Sequence, residues 1–426
     1  MLELSFISEN KEKVLEGLER RCYPPETSQI IDKILEMNEN RKSLQGFLDV
    51  KRGEINKLSG QIGDLFKSGK QAEAQALKEQ VGAVKEEMGD KEKQLSEAEN
   101  ELTQLLYKIP NVPHPSVPKG KSDEDNEIHI PHKGALPDLG ENAQPHWELA
   151  KKYQLFDLEL GVKIAGAGFP LYRGKGAKLE RALINYFLDE ADKRGYEEII
   201  PPLLVNEASG IGTGSLPDKE GQMYYIEKDD LYLIPTAEVP VTNIYRGDIL
   251  DEAKLPIKLT GYTPCFRREA GSYGAHVRGL NRVHQFNKVE IVRFEKPENS
   301  YAALEEMLQH VSELLTALEL PFRVLRLCGG DLTFASALTY DFEVYSAAQK
   351  RWLEVSSVSN FETFQSNRMK TRYKDANKKK QLIHTLNGSA LALARIMACI
   401  LENNQTEDGI KIPAVLQPYT KFDTIQ

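Results

Sequence analysis

The run 264–269, PCFRRE, carries the residues best suited to handling a phosphorylated ligand. On a strand, Arg267 and Glu269 would share one face, because side chains alternate with a period of two. A guanidinium so placed can bind a phosphate through two parallel hydrogen bonds, while the carboxylate accepts one from a base amine or orients a neighbour. The glycine-rich stretch 270–274 (AGSYG) allows a mobile loop, and 284–290 (HQFNKVE) brings the chain back as a second strand. On that strand Phe286 offers a ring, either to stack on a base or to fill a core. Two other glycine-containing runs are excluded as nucleotide loops. Residues 168–176 (GFPLYRGKG) are one residue too long for a P-loop and have no Ser or Thr after the lysine. Residues 210–214 (GIGTG) lack the third glycine of a dinucleotide loop.

These segments need a scaffold, and the sequence divides it into an arm and a body. From Ile30, apolar residues recur at alternating spacings of three and four: Ile34, Met37, Leu44, Leu48, Ile55, Leu58, Ile62 and Leu65, interrupted by Arg41 and Lys51. A second series runs through Ala74, Leu77, Val81, Val84, Met88, Leu95, Ala98, Leu102 and Leu105, interrupted by Lys91. This is a heptad pattern, and it predicts two long helices. The short link 67–70 (KSGK) makes them an antiparallel coiled-coil hairpin over about 28–108, roughly 50–60 Å long at the helical rise per residue. Its acidic and basic residues are balanced, so charge alone marks an exposed arm and no particular partner. Pro110, Pro113, Pro115 and Pro118 then end the arm, giving domains 1–110 and 111–426. In the body, helical patterns at 178–194 and 301–319 alternate with strand-like runs at 198–205, 231–234, 289–294 and 343–345. Strands that follow one another without intervening helices favour an α+β class with an antiparallel sheet flanked by helices.

The chain has 426 residues, enough for two domains, and a formal charge of −9 that gives no global sign of nucleic-acid binding. Cys22, Cys265, Cys328 and Cys399 are far apart, which argues against a disulfide framework or a cysteine zinc site and fits a reducing cytoplasm. The first residues, MLELSF, resemble no signal peptide, and no apolar run approaches membrane-span length, so a cytoplasmic location and no membrane partner are expected.

The run 264–290 resembles motif 2 of class II aminoacyl-tRNA synthetases, in the form seen in seryl-tRNA synthetases. Residues 231–240 (LYLIPTAEVP) look like that family's serine-binding element, and 353–361 (LEVSSVSNF) its late metal and ATP strand. Residues 386–395 (LNGSALALAR) are similar to motif 3, and 195–202 (GYEEIIPP) to motif 1, whose proline, here Pro202, lies at the dimer interface of the class. The hairpin matches the arm with which this family reaches the long variable arm of tRNA. The resemblance implies ATP-dependent activation of L-serine and its transfer to tRNA(Ser), extending to tRNA(Sec), by a homodimer. By the same analogy Arg267 holds the α-phosphate and Arg395 the γ-phosphate. Arg268, Val355 and Ser356 border the ATP site, and Glu269 and Phe286 take the adenine. Mg²⁺ would bridge phosphate oxygens to Glu354 and Ser357, and no zinc is expected. Thr236, Ala237, Glu238, Arg267, Glu290 and Ser389 would receive serine.

Two positions depart from the family pattern. His276 and Val277 stand where an aspartate and a threonine commonly precede the Arg-Gly pair, which bears on contacts to the tRNA acceptor end. Val358 replaces a common cysteine and is expected to be packing. A class II enzyme for threonine or proline would lack the hairpin. A non-catalytic RNA-binding derivative should have lost Arg267, Glu354 or Arg395, and all three are present.

Overall fold

The protein is described by a computed structural model covering residues 1–218, 221–269, 274 and 277–426. Two compact units emerge, one of residues 1–19 with 23–110 and the other of 20–22 with 111–426.

The first unit opens with two short helices, α1 (Leu4–Glu9) and α2 (Lys11–Arg20), followed by α3 (Thr27–Lys67) and α4 (Gln71–Leu106). Between the long helices Gly69 has φ +74°, a left-handed conformation that costs glycine little and lets the chain reverse in three residues. Along the seam Leu48, Val84 and Met88 are buried, with Phe47, Ile55 and Leu95 packed against them. Lys51, which interrupts the heptads, turns its ammonium to Glu87 of the facing helix at 3.0 Å, leaving its methylenes on the seam. Lys33–Glu101 (2.6 Å) and Arg52–Glu92 (3.2 Å) cross between the same helices. Nearer the free ends the seam runs through Ile31, Ile34 and Asn38, displaced by one from Ile30 and Met37.

The second unit is built on one eight-stranded sheet. Its strands are β1 (Glu127–Ile130), β2 (Glu197–Glu198), β3 (Ile257–Phe266), β4 (Gln285–Glu295), β5 (Phe322–Arg326), β6 (Leu338–Ser346), β7 (Arg351–Asn360) and β8 (His384–Ala392). Their order is β1-β5-β6-β7-β8-β4-β3-β2, antiparallel throughout except for the edge pair β2·β3. The period-two alternation gives the sheet two distinct faces. Val289 and Ile291 of β4, Tyr340 and Phe342 of β6, Leu353 and Val358 of β7, and Leu386 and Ala390 of β8 join one core. That core also takes in helices α6 (Gly174–Asp192), α7 (Ser300–Ala317) and α8 (Leu393–Asn403). The intervening residues face a cleft. A further helix, α5 (His146–Tyr153), packs on α8. The strand expected over 198–205 is broken by Pro201 and Pro202, leaving β2 and a short strand Leu204–Asn206. No helix among the described residues is long and apolar enough to cross a membrane.

Candidate active site

A cleft of about 930 Å³ lies over the polar face of the sheet, and strands β4, β5, β6, β7 and β8 all contribute to it. At one end Glu290 of β4 stands directly opposite Ser389 of β8 in the ladder. Thr236 Oγ1 donates to Glu290 Oε2 at 3.0 Å, and Lys288 Nζ pairs with the same oxygen at 2.6 Å. Glu238 follows two residues after Thr236, and its backbone N–H donates to Thr236 Oγ1 at 3.2 Å. Its carboxylate accepts from Gln365 Nε2 at 2.7 Å. Burial, and then the neighbouring Glu290 charge, push the Glu238 carboxyl up to about 7, with Gln365, Lys288 and Arg267 offsetting part of this. Glu290 thus has its cation, whereas Glu238 has only a neutral amide. This end of the cleft suits a small ligand carrying an ammonium and a hydroxyl.

Arg267 lies beside it. Strand β3 stops at Phe266, so Arg267 and Glu269 do not share a strand face as their spacing suggests. Glu269 has φ +47°, which no pleated strand can continue. The cleft nevertheless receives both side chains. Arg267 Nε donates to the Pro235 carbonyl at 3.2 Å, and its guanidinium lies 5.3 Å from the Phe286 ring. Glu269 pairs with Arg282 of the returning segment at 2.9 Å. Arg268 turns to Tyr224 and does not border the cleft, and neither does Ala237, which is buried in a separate apolar cluster. Of the unusual motif 2 loop, His276 lies outside the described residues. Val358 is fully buried in the core.

At the far end, Glu354 and Ser357 are three apart on β7, a spacing that on a regular strand would put them on opposite faces. A bulge restores them to one side: Ser356 pairs with Phe342 and Glu354 with Glu343, so Val355 has no partner across the ladder. Its side chain joins the core, and only its backbone is left for the cleft. Ser356 is buried, and its hydroxyl donates to the Ser389 carbonyl at 2.5 Å, tying β7 to β8. Opposite Ser357 in the ladder is Asp341, whose Oδ1 is buried with no hydrogen-bond partner. Burial, and then the Glu354 charge, raise the Asp341 carboxyl well above its usual range, against a bond from Ser357. Among the described residues no three His, Cys, Asp or Glu side chains converge on one point. The set here is two carboxylates and a hydroxyl. Arg395, in the first turn of α8, closes this end: Nη1 donates to the Glu354 carbonyl at 2.6 Å and lies 3.4 Å from Glu354 Oε2.

The structure therefore gathers Thr236, Glu238, Arg267, Glu269, Phe286, Glu290, Glu354, Val355, Ser356, Ser357, Ser389 and Arg395 around one cleft. Pro202 is exposed, away from that lining. Lys288, Gln365 and Asp341 were not singled out in the sequence. Lys288 could have been, since it alternates with Phe286 and Glu290 on one strand. Gln365 and Asp341 gain meaning only from what the fold brings near them.

Residues 224–404 match the tRNA synthetase class II core domain (G, H, P, S and T), and residues 1–113 the seryl-tRNA synthetase N-terminal domain. The serine–tRNA ligase of Salinibacter ruber is 50% identical, covering 100% of this chain and 99% of the relative. That of Chlorobaculum parvum is 46% identical with both chains fully covered. The crystal structure of seryl-tRNA synthetase from Pyrococcus horikoshii complexed with ATP superposes with a TM-score of 0.91 at 33% identity, over 100% of this chain and 99% of that one. With full-length relatives at this identity and both domains matched in order, the chain belongs to the seryl-tRNA synthetase family of class II aminoacyl-tRNA synthetases.

Proposed function

We propose that this chain activates L-serine with ATP to seryl-adenylate and transfers the seryl group to the 3′ end of tRNA(Ser), with tRNA(Sec) as a second acceptor. Residues 111–426 form the catalytic domain and 1–110 the tRNA-binding arm. The observation that carries the reading is the juxtaposition, in one cleft, of the Thr236–Glu238–Glu290–Ser389 polar end with Arg267 and Arg395. The serine ammonium supplies the cation that Glu238 lacks. Glu290, Thr236 and Ser389 surround the hydroxyl. A site whose buried polar groups need that hydroxyl rejects an analogue without it by ~10⁴–10⁵.

The serine carboxylate oxygen attacks the α-phosphorus, a P–O bond forms, and pyrophosphate leaves with the electrons of the broken one. Arg267 meets the charge that builds on the α-phosphate, Arg395 that on the γ-phosphate, and Phe286 and Glu269 hold the adenine by stacking and hydrogen bonding. Such catalysis is positioning and electrostatics, with no protein nucleophile. The terminal tRNA hydroxyl then attacks the seryl carbonyl and AMP departs. Glu354, Ser357 and the unpartnered oxygen of Asp341 are hard oxygen donors on adjacent strands, and they suit Mg²⁺, which Glu354 and Ser357 would hold. Bound there, the ion would neutralise phosphate oxygens.

The test is ATP–pyrophosphate exchange with a panel of amino acids, followed by charging of tRNA(Ser) and tRNA(Sec) transcripts. Exchange with serine alone is the expected result. Exchange driven by threonine or proline in preference to serine would refute the assignment.

A further inference from the structure

The segment that leads into β4 is gripped by two buried side chains that the reaction itself does not use. Leu280 N–H donates to Nε2 of His146 at 2.8 Å. A ring nitrogen that accepts carries no proton, so the imidazole proton is on Nδ1. That atom faces Glu402 Oε1 at 2.6 Å, and both side chains are completely buried. Glu402 also accepts from the His146 backbone N–H (2.8 Å), from the Ser346 hydroxyl, and from Gln349 Nε2 at 3.0 and 3.2 Å. Burial pushes the Glu402 carboxyl upward, but the donors from His146 and Ser346 outweigh this and hold it below the usual range. It therefore stays an acceptor to all of them.

The network then reaches the cleft. Gln349 Oε1 accepts from Asn281 Nδ2 at 2.9 Å, so the Leu280–Asn281 pair is held at a backbone N–H by His146 and at a side chain by Gln349. The carbonyl of Asn281 accepts from Arg395 Nε at 3.0 Å. The contact is tight: Gly279 has φ +71°, and a Cβ there would lie 2.2 Å from His146 Nε2. Trp147 and Glu148, next to His146 on α5, hold Arg278 at 4.8 Å from the indole ring and 3.2 Å from the carboxylate.

We propose that His146, oriented by Glu402, is a positioning residue for adenylation: it fixes the Asn281 carbonyl, and through it the guanidinium of Arg395. The inference rests on the reading that Arg395 meets the ATP polyphosphate. Without the imidazole, the Leu280 N–H loses its acceptor and the carbonyl that aims Arg395 is free to shift. A displacement of about an ångström at such a distance from the chemistry costs ~10²-fold in rate.

The experiment is steady-state ATP–pyrophosphate exchange on the full-length enzyme carrying His146→Ala, His146→Gln, Glu402→Gln, Arg395→Ala, and the Arg395→Ala double variants. His146→Ala is expected to lose ~10²-fold in kcat/KM for ATP, with the serine KM changed less than about twofold. His146→Gln returns an acceptor to Leu280 N–H and should recover at least ~10-fold of that loss. In the Arg395→Ala background, His146→Ala should cost less than about twofold more, since the residue it acts through is gone. If His146→Ala does not fold, Glu402→Gln completes the same cycle with the imidazole in place. Equal losses with and without Arg395, or a serine KM rising in step with that for ATP, would overturn the positioning role and leave the site reading standing. Unchanged ATP kinetics in Arg395→Ala would instead bring down the site reading, and the proposal with it.

Discussion

Arg267 and Glu238 show how differently two charged residues in one cleft can be placed. Arg267 is held by a backbone carbonyl and an aromatic face, so its charge is oriented before any ligand arrives. Arg267→Ala should lower serine-dependent exchange by ~10²–10³ with an unchanged unfolding midpoint, because it removes a preorganised donor and no core contact. Glu238 is under strain of another kind. Its carboxyl titrates at about 7 in the free protein, above its value in an unfolded chain, so ionising it works against the fold. The sign follows: this penalty is absent below the unfolded value, grows as pH rises toward about 7, and is complete above it. A bound ammonium relieves it. Serine KM should therefore rise as pH falls below about 7, since binding must then displace a proton, and Glu238→Gln should give a high, pH-flat serine KM. A wild-type serine KM that stays level across that range would dismiss the ammonium contact.

Among the elements, the hairpin was the most legible in sequence and the bulge in β7 the least. Heptads repeat over tens of residues, and 67–70 marks the reversal, so α3 and α4 are legible in the sequence alone. The site was readable wherever a motif is local, as at Thr236 with Glu238 or Ser389 with Arg395. It was not readable where a cross-strand neighbour decides. The i, i+3 spacing of Glu354 and Ser357 speaks against a shared face until the pairing with Phe342 and Glu343 is known. The end of β3 is hidden from the sequence for a related reason, since nothing in it requires a positive φ at Glu269. The pairing of His146 with Glu402 joins positions 256 residues apart, and no spacing rule reaches that far. Because the hairpin packs on its own seam, excising 27–108 with a short bridging linker should spare amino-acid-dependent exchange and cripple tRNA charging. The lysines and arginines along the arm would neutralise tRNA phosphates, so charging by the intact enzyme should fall steeply with added salt. Undiminished charging by the truncated chain would reduce the arm to scaffolding.

At the scale of the molecule, the sheet ends at the two-residue strand β2, and the chain beyond it carries Ile200, 89% exposed, with Leu203 and Leu204 at 37% and 38% around Pro202. So much bare apolar surface next to a sheet edge is unusual on a solitary protein. It fits the homodimer expected for the class. Light scattering at micromolar concentration should give twice the chain mass, and Ile200→Asp should shift it toward the monomer and lower activity. A fully active monomer would exclude the arrangement. The two-faced sheet has a last consequence, for how such an enzyme can diverge. Along β4 and β8, neighbouring positions answer alternately to the core and to the cleft, so point substitutions at Lys288, Glu290 or Ser389 can try new amino acids without disturbing Val289, Ile291 or Ala390. Inserting or deleting one residue in either strand would turn both sets over at once. Lineages of this enzyme should therefore vary freely in loop length while keeping these two strands free of gaps, and an engineer seeking a new substrate should exchange residues there and never add one.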